Sequence, residues 1–259
     1  MRYPTRSTWL AALLLANPVV AAATDPAATP SVVPAATAGA SSATDHRDRF
    51  ERFNRSMYAF NTGVDRVVVR PVARGYARLP RPLRSGIGNF IGHLGYPNTI
   101  VNNFLQGKWG DGTRDVARFA VNTVFGLGGL MDPATGAGLP RNDEDFGQTL
   151  GKWGVPSGPY LMLPMLGPST LRDAPTWGVD YVTDLRSYID QDAVSGSLAV
   201  LRVVDTRANV LVADAAVEQA FDPYAFVRDA YLQRREYKVR DGNVPVVEDE
   251  EPLEDPAAE

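Results

Sequence analysis

The stretch that most restricts the fold of this chain is an apolar run broken by prolines. Its centre, residues 160–166, contains Pro164, and the pairs Gly158-Pro159 and Gly167-Pro168 frame it on either side. Because proline lacks a backbone N–H and fixes φ, this run can form neither a long helix nor a central strand. The sequence therefore predicts an extended apolar ribbon with defined corners.

The polar residues after the ribbon predict a helix, with Ser169 or Thr170 as its N-cap and Asp173 in its first turn. The ribbon itself must lie against apolar material. It is either a connector buried across a hydrophobic core or a surface that rests on lipid, and its residues alone do not separate these two interpretations.

Four sequence blocks follow one another along the chain. The blocks are Phe53-Asn54-Arg55-Ser56-Met57-Tyr58-Ala59-Phe60-Asn61; Phe104-Leu105-Gln106-Gly107 with Arg118-Phe119, Asn122-Thr123, Gly126 and Gly128-Gly129; the ribbon from Phe146-Gly147 to Arg172-Asp173; and Thr206-Arg207 with Asp222-Pro223-Tyr224 and Arg228 to Arg234. In type and order these blocks resemble the MlaA (VacJ) family of Gram-negative outer-membrane proteins. The resemblance covers residues 45–240 and favours the lipid-facing interpretation of the ribbon.

The resemblance implies both a fold and a function. The fold is a single ring-like domain of amphipathic helices with a central channel, lying in the inner leaflet of the outer membrane. The function is removal of phospholipids misplaced in the outer leaflet and their transfer to a soluble periplasmic carrier, which preserves lipid asymmetry. Trimeric porins are the expected partners, and neither a cofactor nor enzymatic activity is implied.

The residues themselves also indicate a mainly α fold, because apolar positions at helical spacing recur between Gly/Pro corners and strand alternation is weak. Residues 1–23 have the pattern of a secretory signal peptide. Residues 24–44 predict a disordered Ala/Pro/Ser/Thr linker, residues 45–240 the folded domain, and residues 241–259 an acidic disordered tail. The sequence contains no cysteine, so we expect no acylated anchor and attachment to the periplasmic side of the outer membrane through the folded domain itself.

The first predicted helix carries an apolar stripe and several polar residues. Phe50, Phe53, Met57, Phe60 and Val64 recur at steps of three and four, which favours a core-facing stripe. In the resembling family this block borders the lipid channel. The polar residues on its other sides are therefore candidates for headgroup contact: Asn54, Arg55, Tyr58 and Asn61.

A series of arginines follows at steps of four: Arg66, Arg70, Arg74 and Arg78. Residues 46–86 have a net charge of +7, against −8 from residue 241 onward. The series forms either a solvated face or a surface that attracts phospholipid phosphates or lipopolysaccharide, so its members are further headgroup candidates. Nucleic-acid binding is disfavoured, because the chain is predicted to be exported and has no recognisable reading helix.

Residues 113–131 form the most membrane-like segment. Asp111, Arg114, Asp115, Arg118 and Asn122 fall on one narrow stripe of a predicted helix, and the wide apolar arc suits either lipid or the protein interior. Gly126, Gly128 and Gly129 predict a hinge or pore-rim loop. The predicted membrane contacts are Phe119, the tip residues Leu127, Leu130 and Met131, and the ribbon residues Leu161, Leu163, Met165 and Leu166.

Motifs of covalent chemistry are absent from the sequence. Asp143, Glu144 and Asp145 lack the spacing of a calcium loop, and the two histidines, His46 and His93, stand near no recognisable nucleophile. We therefore predict no catalytic residues and no metal site. Two other functions stay open: a periplasmic phospholipid hydrolase, and a structural protein that binds a porin without handling lipid. Asp222-Pro223 predicts the start of the last helix, which should end near Tyr237.

Overall fold

The computed structural model describes residues 48–189 and 192–243. The predicted signal peptide and linker lie outside these residues, as does the predicted acidic tail from residue 244 onward. The described start of that tail is held in place, because the carboxylate of Asp241 binds the ammonium groups of both Lys108 and Lys152.

Most of the described residues are helical, which confirms the predicted fold class. The helices are α1 (Glu51–Val64), α2 (Arg70–Tyr76), α3 (Arg81–Leu105), α4 (Trp109–Val124), α5 (Pro133–Gly136), α6 (Phe146–Lys152), α7 (Thr176–Thr183), α8 (Asp192–Asn209), α9 (Asp214–Gln219) and α10 (Pro223–Val239). Two short strands, β1 (Tyr160–Leu163) and β2 (Gly167–Thr170), lie between α6 and α7.

A π-helical turn, Asp65–Val69, joins α1 to α2 without a break. Its last hydrogen bond runs from the N–H of Arg70 to the carbonyl of Asp65. The turn ends at Val69, two residues before Pro71, which lacks the N–H that an uninterrupted α-helix would use. The proline is thus accommodated by one wider turn, and α1 and α2 form one continuous rod.

Helix α3 contains Pro97 and runs through it. The sequence of residues 97–107 predicts a short helix that starts at Pro97 and is closed by Gly107. That start is wrong, because the helix begins at Arg81 and spans about 37 Å. Four glycines before Pro97 hid the helical pattern. The predicted end is confirmed, because Gly107 has a φ of +77° and the N–H of Lys108 donates to the carbonyl of Asn103 over 2.9 Å.

The proline-broken ribbon folds back on itself as a β-hairpin. Strand β1 pairs antiparallel with β2, Tyr160 opposite Thr170 and Leu163 opposite Gly167. The prediction that this run forms neither a long helix nor a central strand is confirmed. The expectation that strands are lacking is wrong here. Met165 and Gly167 adopt positive φ, which lets the chain reverse after Pro164 and form the hairpin.

The helix after the hairpin begins later than the sequence indicates. Strand pairing extends through Thr170, and α7 starts at Thr176. The predicted N-cap at Ser169 or Thr170 is therefore wrong, although the hydroxyl of Thr170 accepts a hydrogen bond from the N–H of Asp173 over 3.2 Å within the intervening turn.

Contacts between the elements form a closed circuit. Helix α1 contacts β1, β2 contacts α10, α10 contacts α6, α6 contacts α3, α3 contacts α8, and α8 contacts α2, which continues α1. Helices α4 and α7 pack against members of this circuit. Within residues 48–189 and 192–243, no helix combines the length and the apolar composition needed to cross a bilayer.

The buried hydrophobic side chains form two small, separate clusters. One joins α2 to α8 through Ala73, Tyr76, Val204 and Ala208. The other joins the hairpin to α10 through Tyr160, Met162 and Tyr224. A soluble domain normally has one contiguous hydrophobic core. Here, among the residues that the structure describes, buried polar and charged residues outnumber buried hydrophobic ones, and many large hydrophobic side chains are exposed.

Candidate functional site

The phenylalanines of the apolar stripe of α1 face outward. Phe53 and Phe60 are 47% and 49% exposed, and Phe50 is similarly exposed. The predicted core-facing orientation is therefore wrong for these three residues, whereas Met57 and Val64 are half-buried and Met57 packs against the cluster of Tyr160 and Tyr224. The reason is that the buried face of α1 is centred on Asn54 and Asn61, both packed against the hairpin, and Phe53 and Phe60 lie about 100° around the helix from them.

Asn54 and Asn61 hold the free edge of strand β1. Asn54 donates to the carbonyl of Tyr160 over 3.1 Å and accepts from the N–H of Met162 over 2.8 Å. Asn61 makes the equivalent pair with the carbonyl of Leu163 and the N–H of Met165, over 2.9 and 2.7 Å. The seven-residue spacing matches the strand, because two helical turns and three strand residues both advance about 10 Å.

This arrangement corrects the headgroup prediction for both asparagines. Asn54 has no exposed surface and its amide nitrogen also donates to Asp48 over 2.8 Å, while the amide of Asn61 is committed to the strand. Their role is to position the hairpin. The sequence pattern missed this role because the hydrogen-bonding partners lie more than 100 residues away.

Arg55 and Tyr58 lie where α1 meets α10. The guanidinium of Arg55 donates to Asp222 over 2.6 and 3.2 Å and to Glu51 over 2.7 Å, and it lies 4.5 Å from the centre of the Tyr224 ring. Tyr58 packs edge-on against the same ring. The charge of Arg55 is thus neutralised by two carboxylates, which raise its pKa above the ordinary arginine value against a smaller opposing effect of burial.

The basic series divides into one paired and three exposed arginines. Arg70 is bound by Asp65, Asp214 and Glu218 and is largely buried. The remaining three are exposed: Arg66, Arg74 and Arg78. Hydrogen bonding to Arg70, together with the charges of Arg66 and Arg74, holds the pKa of Glu218 below its usual value, which indicates that these arginines share one face of the α1–α2 rod. Headgroup contact by the exposed three stays a prediction.

Helix α4 turns Asp115, Arg118 and Asn122 of its polar stripe inward, whereas Asp111 and Arg114 pair with each other at the surface. Asp115 is fully buried and accepts hydrogen bonds from Tyr96, Asn103 and Asn142 over 2.6, 2.7 and 3.0 Å. One turn further, Arg118 binds Asp132. Burial raises the pKa of Asp115 despite these three donors. The wide apolar arc is consequently left on the outside, with Trp109, Val116 and Val124 exposed.

The glycine-rich bend after α4 carries an exposed apolar tip. Leu127 is 66% exposed, and Leu130 and Met131 are also exposed. Leu127, Gly128 and Gly129 have φ values of 54°, 69° and 91°, and a Cβ on Gly129 would lie 2.3 Å from the His93 ring. The glycines therefore meet a requirement of backbone conformation and close packing. Whether the bend also acts as a hinge or pore rim stays a prediction.

The other predicted membrane contacts are less exposed. Phe119 is half-buried and stacks on His93 with ring centres 4.3 Å apart. The hairpin residues Leu161, Leu163, Met165 and Leu166 are half-buried. The exposed apolar surface includes α1, α4 and the tip of the bend, and it extends to other elements, with Val67, Val212 and Phe221 among the most exposed side chains.

Charged side chains from three segments meet at one face of α3. This face carries Gly88, Gly92 and Gly95, at helical steps of four and three. A Cβ would lie 3.2 Å from an oxygen of Asp205 at Gly88, 2.6 Å from a guanidinium nitrogen of Arg141 at Gly92, and 3.5 Å from an oxygen of Asp184 at Gly95. We call this region the inner recess: the glycine face of α3 with Arg141, Asp143, Asp184, Arg202 and Asp205.

Arg202 is exposed to water but lies among the other charged groups of the inner recess. The side chain is 54% exposed, and its guanidinium lies 3.9 Å from Asp184. Burial nevertheless lowers its pKa to about 10, followed by repulsion from Arg186.

Asp143 is a second exposed side chain of the recess whose pKa is affected by burial. Its side chain is 66% exposed, and burial acts to raise its pKa. The charges of Lys238 and Arg141 outweigh that effect and hold the pKa below its usual value. Asp143 therefore belongs to a balanced group of positive and negative side chains that face the recess.

Asp180, beside the recess, gives a pH-dependent prediction. Burial, followed by the charge of Asp145, raises its pKa to about 6. A carboxyl whose pKa is raised on folding contributes stability below about pH 4, and that contribution is lost as the pH rises through 6. Asp180→Asn keeps an oxygen for the N–H of Phe146 and removes the charge. We expect it to increase the free energy of unfolding by about 1–3 kcal/mol at pH 7.5 and to have little effect at pH 4.

Urea unfolding in detergent at pH 4, 5, 6 and 7.5 measures this effect. Asp111→Asn, at an exposed carboxylate paired with Arg114, is the matched control and should change stability by less than about 0.5 kcal/mol. An equal effect of Asp180→Asn at all four pH values would contradict the assignment.

The inner recess and its neighbours were not among the predicted site residues. Arg141, Arg202 and Asp184 stand in unrelated segments, and no motif connects them. The glycines of α3 were the available signal, since three glycines on one helical face indicate that something approaches the helix closely.

These features define a class of protein: a closed circuit of helices with polar groups inside and hydrophobic side chains outside, suited to apolar surroundings. The chain belongs to the MlaA lipoprotein family, whose family model matches residues 46–238, and this confirms the resemblance inferred from its motifs. Proteins named intermembrane phospholipid transport system lipoprotein MlaA from Shigella flexneri and Escherichia coli (strain K12) are each 40% identical to it over 230 residues, covering 85% of this chain and 88% of theirs.

Two further comparisons agree. A protein of the same name from Haemophilus influenzae is 36% identical over 219 residues, covering 82% of this chain and 86% of its own length. A solved structure described as the structural basis for maintenance of bacterial outer membrane lipid asymmetry is 40% identical, with a TM-score of 0.67. That similarity covers 74% of this chain and 98% of the solved one.

Proposed function

We propose that this protein takes part in intermembrane phospholipid transport: it removes phospholipids misplaced in the outer leaflet of the outer membrane and passes them to a periplasmic carrier. The observation that carries the proposal is the inverted distribution of polarity. Exposed hydrophobic side chains on α1, on α4 and at the glycine bend suit contact with acyl chains. Buried polar groups and the charged inner recess suit a headgroup. The names of the relatives from three bacteria support the same function.

In this proposal the domain lies in the inner leaflet and the circuit of helices surrounds a passage for lipid. A phospholipid needs a polar route for its headgroup and an apolar one for its tails. The inner recess provides the first, because its charges replace the water that hydrates a phosphate or an amine. Transfer along such a route requires no covalent step, and we propose that the protein is not an enzyme.

Transport can be tested in cells that lack the protein. Phospholipid accessible to an externally added phospholipase should rise in those cells and return to normal when the chain is supplied. An unchanged level would contradict the proposed function. Incubating the purified protein with labelled phospholipid tests the alternative of a hydrolase, which steady release of fatty acid would favour.

Two partners belong to the proposal: a trimeric porin in the outer membrane and a soluble periplasmic lipid carrier. The family resemblance supports both. Gentle detergent extraction followed by affinity purification of this chain should recover a porin, and the carrier should accept labelled phospholipid from vesicles that contain the chain. Recovery of a porin without any lipid transfer would favour the structural alternative.

Attachment to the membrane should depend on the outward stripe of α1. Replacing the half-exposed Phe53 with aspartate places a charge at this surface, and we expect roughly tenfold weaker partition into membranes, because a charge near hydrocarbon is disfavoured by more than 1 kcal/mol. Flotation of membranes after a high-salt wash measures this effect, since salt releases proteins held by charge alone.

Phe53→Leu is the matched control, since it keeps an apolar side chain at the same position. It should remain with the membranes. If Phe53→Asp floats as well as Phe53→Leu, this face of α1 does not contact lipid.

A further inference from the structure

We propose that Arg141 and Arg202 form a binding site for the phosphodiester of a phospholipid headgroup inside the inner recess. This inference rests on the proposed function and names residues for it. Neither arginine belongs to the motifs that identify the family in this sequence, and their positions become meaningful only when the loop before α6 and helix α8 meet at α3.

The first argument is the pairing of the arginines. Most interior arginines are fixed by hydrogen bonds to carboxylates, as Arg118, Arg207 and Arg235 illustrate. Among the residues that the structure describes, Arg141 donates no hydrogen bond, and the separation of 3.9 Å between Arg202 and Asp184 is too long for one. Their donors are therefore available to a ligand.

The second argument is position. Arg141 lies against Gly92, and Arg202 stands one turn before Asp205, which lies against Gly88. Both arginines are within electrostatic range of Asp143, whose charge acts on Arg202 and which itself feels the charge of Arg141. Two guanidinium groups from different elements thus lie at the glycine face of α3, and guanidinium forks match the oxygens of a phosphate.

A third observation is an excess of donors on this side of α3. Arg84 lies one turn before Gly88, and its Nε is buried without an acceptor among the described residues. An unsatisfied buried donor is uncommon and is explained when a ligand oxygen supplies the acceptor. The described residues near Arg84 therefore provide no hydrogen-bond acceptor for its Nε, and a ligand oxygen can fill this role.

The carboxylates of the recess indicate which headgroup it takes. Asp143, Asp184 and Asp205 stand beside the arginines, so the site presents both signs of charge. Asp184 already binds Arg186 and Asp143 binds Lys238, whereas Asp205 accepts its hydrogen bonds from Tyr76 and Asn209. A zwitterionic headgroup can place its phosphate on the arginines and its primary amine on Asp205, whereas an anionic glycerol headgroup adds a negative charge and brings no cation. We therefore infer a preference for phosphatidylethanolamine over phosphatidylglycerol.

The test is binding of short-chain lipids to the full chain in detergent. Dihexanoyl phosphatidylethanolamine, dihexanoyl phosphatidylglycerol and inorganic phosphate are titrated by calorimetry. The expected order of affinity is phosphatidylethanolamine, then phosphatidylglycerol, then phosphate. Arg141→Gln and Arg202→Gln should each weaken binding of phosphatidylethanolamine about tenfold, because each removes a charged hydrogen-bond donor. Arg114→Gln, at an exposed arginine paired with Asp111, should leave it unchanged.

A glycine variant tests whether weaker binding comes from a disturbed site or merely from the removal of a positive charge. Gly92→Ala keeps both arginines but places a Cβ 2.6 Å from the guanidinium of Arg141, which must move away. Binding should weaken several-fold. The matched control is Gly110→Ala in α4, where a Cβ meets nothing within 4 Å, and it should bind normally. Urea unfolding of all variants verifies that they fold.

The outcomes distinguish this site from the function as a whole. If folded Arg141→Gln and Arg202→Gln bind phosphatidylethanolamine as the original chain does, the site is wrong, while a normal result in the cellular assay keeps the proposed function. Equal affinity for inorganic phosphate and lipid would also overturn the headgroup assignment and indicate a phosphate site. If the original chain binds no lipid and does not alter outer-leaflet phospholipid, both proposals fail.

Discussion

Replacing Arg235 with methionine is expected to lower the free energy of unfolding by about 3–5 kcal/mol at neutral pH. Arg235 on α10 donates to both oxygens of Asp145 over 2.6 and 2.7 Å and to Asp173 over 2.7 Å. It thereby ties α10 to the start of α6 and to the turn after the hairpin. Methionine fills a similar volume but leaves the almost fully buried Asp173 with Arg172 as its remaining basic partner.

The effect should depend on pH in a defined direction. Burial acts to raise the pKa of Asp145 and of Asp173, but Arg235 outweighs it and holds both below their usual values. A carboxyl whose pKa is lowered on folding contributes stability above about pH 4, and the contribution is lost as the pH falls further. The difference between the original chain and Arg235→Met should therefore be largest at pH 7 and should narrow below pH 4.

Urea unfolding in detergent between pH 3 and 7.5 measures both effects. Arg240→Met on the same helix is the matched control, because Arg240 is exposed and its partner Glu236 is also exposed. It should change stability by less than about 1 kcal/mol. A loss below 1 kcal/mol in Arg235→Met at pH 7 would mean that the carboxylates find other partners and that Arg235 does not fix these segments.

The second large effect is expected from the double variant Asn54→Ala, Asn61→Ala. Each asparagine satisfies one carbonyl and one N–H of the hairpin, and an unsatisfied buried backbone group costs about 1–3 kcal/mol. We expect the double variant to lose at least about 4 kcal/mol and to expose the hairpin to proteolysis. Thermal unfolding and limited proteolysis in detergent measure the two effects.

The two possible roles of these asparagines predict different results. If they contacted headgroups, their removal would reduce transport and leave the stability unchanged. If they hold the hairpin, stability falls first and each single variant shows part of the loss. Ser56→Ala, exposed on the same helix, is the control and should stay within about 0.5 kcal/mol of the original chain. Wild-type stability in the double variant would restore the headgroup interpretation.

Local signals in the sequence were sufficient to predict where some helices begin or end. Asp222-Pro223 predicted the start of α10, and the carboxylate of Asp222 indeed accepts from the N–H groups of Tyr224 and Ala225. Gly107 ends α3, as its lack of a Cβ permits. These predictions held because capping and positive φ depend on residues next to each other in the chain.

The hairpin and the ion pairs could not be predicted in this way. The pairing of β1 with β2 requires the edge held by Asn54 and Asn61, and Asp145 meets Arg235 across 90 residues. The role of Gly147 was equally hidden: its family motif was recognised, but a Cβ there would lie 2.3 Å from Arg235 and 2.5 Å from Asp173. Only folding brings these partners together.

The sequence by itself determined the mainly helical class, the family, and which residues share a face of α1 and of α4. The tertiary structure alone decided which face is inner. Periodicity separates an apolar from a polar side, but it does not state whether water or lipid lies outside, and a chain adapted to lipid reverses the usual assignment. For that reason Phe53 and Phe60 lie outside, Asn54 and Asn61 lie inside, and the recess around Arg141 and Arg202 emerged only from the packed helices.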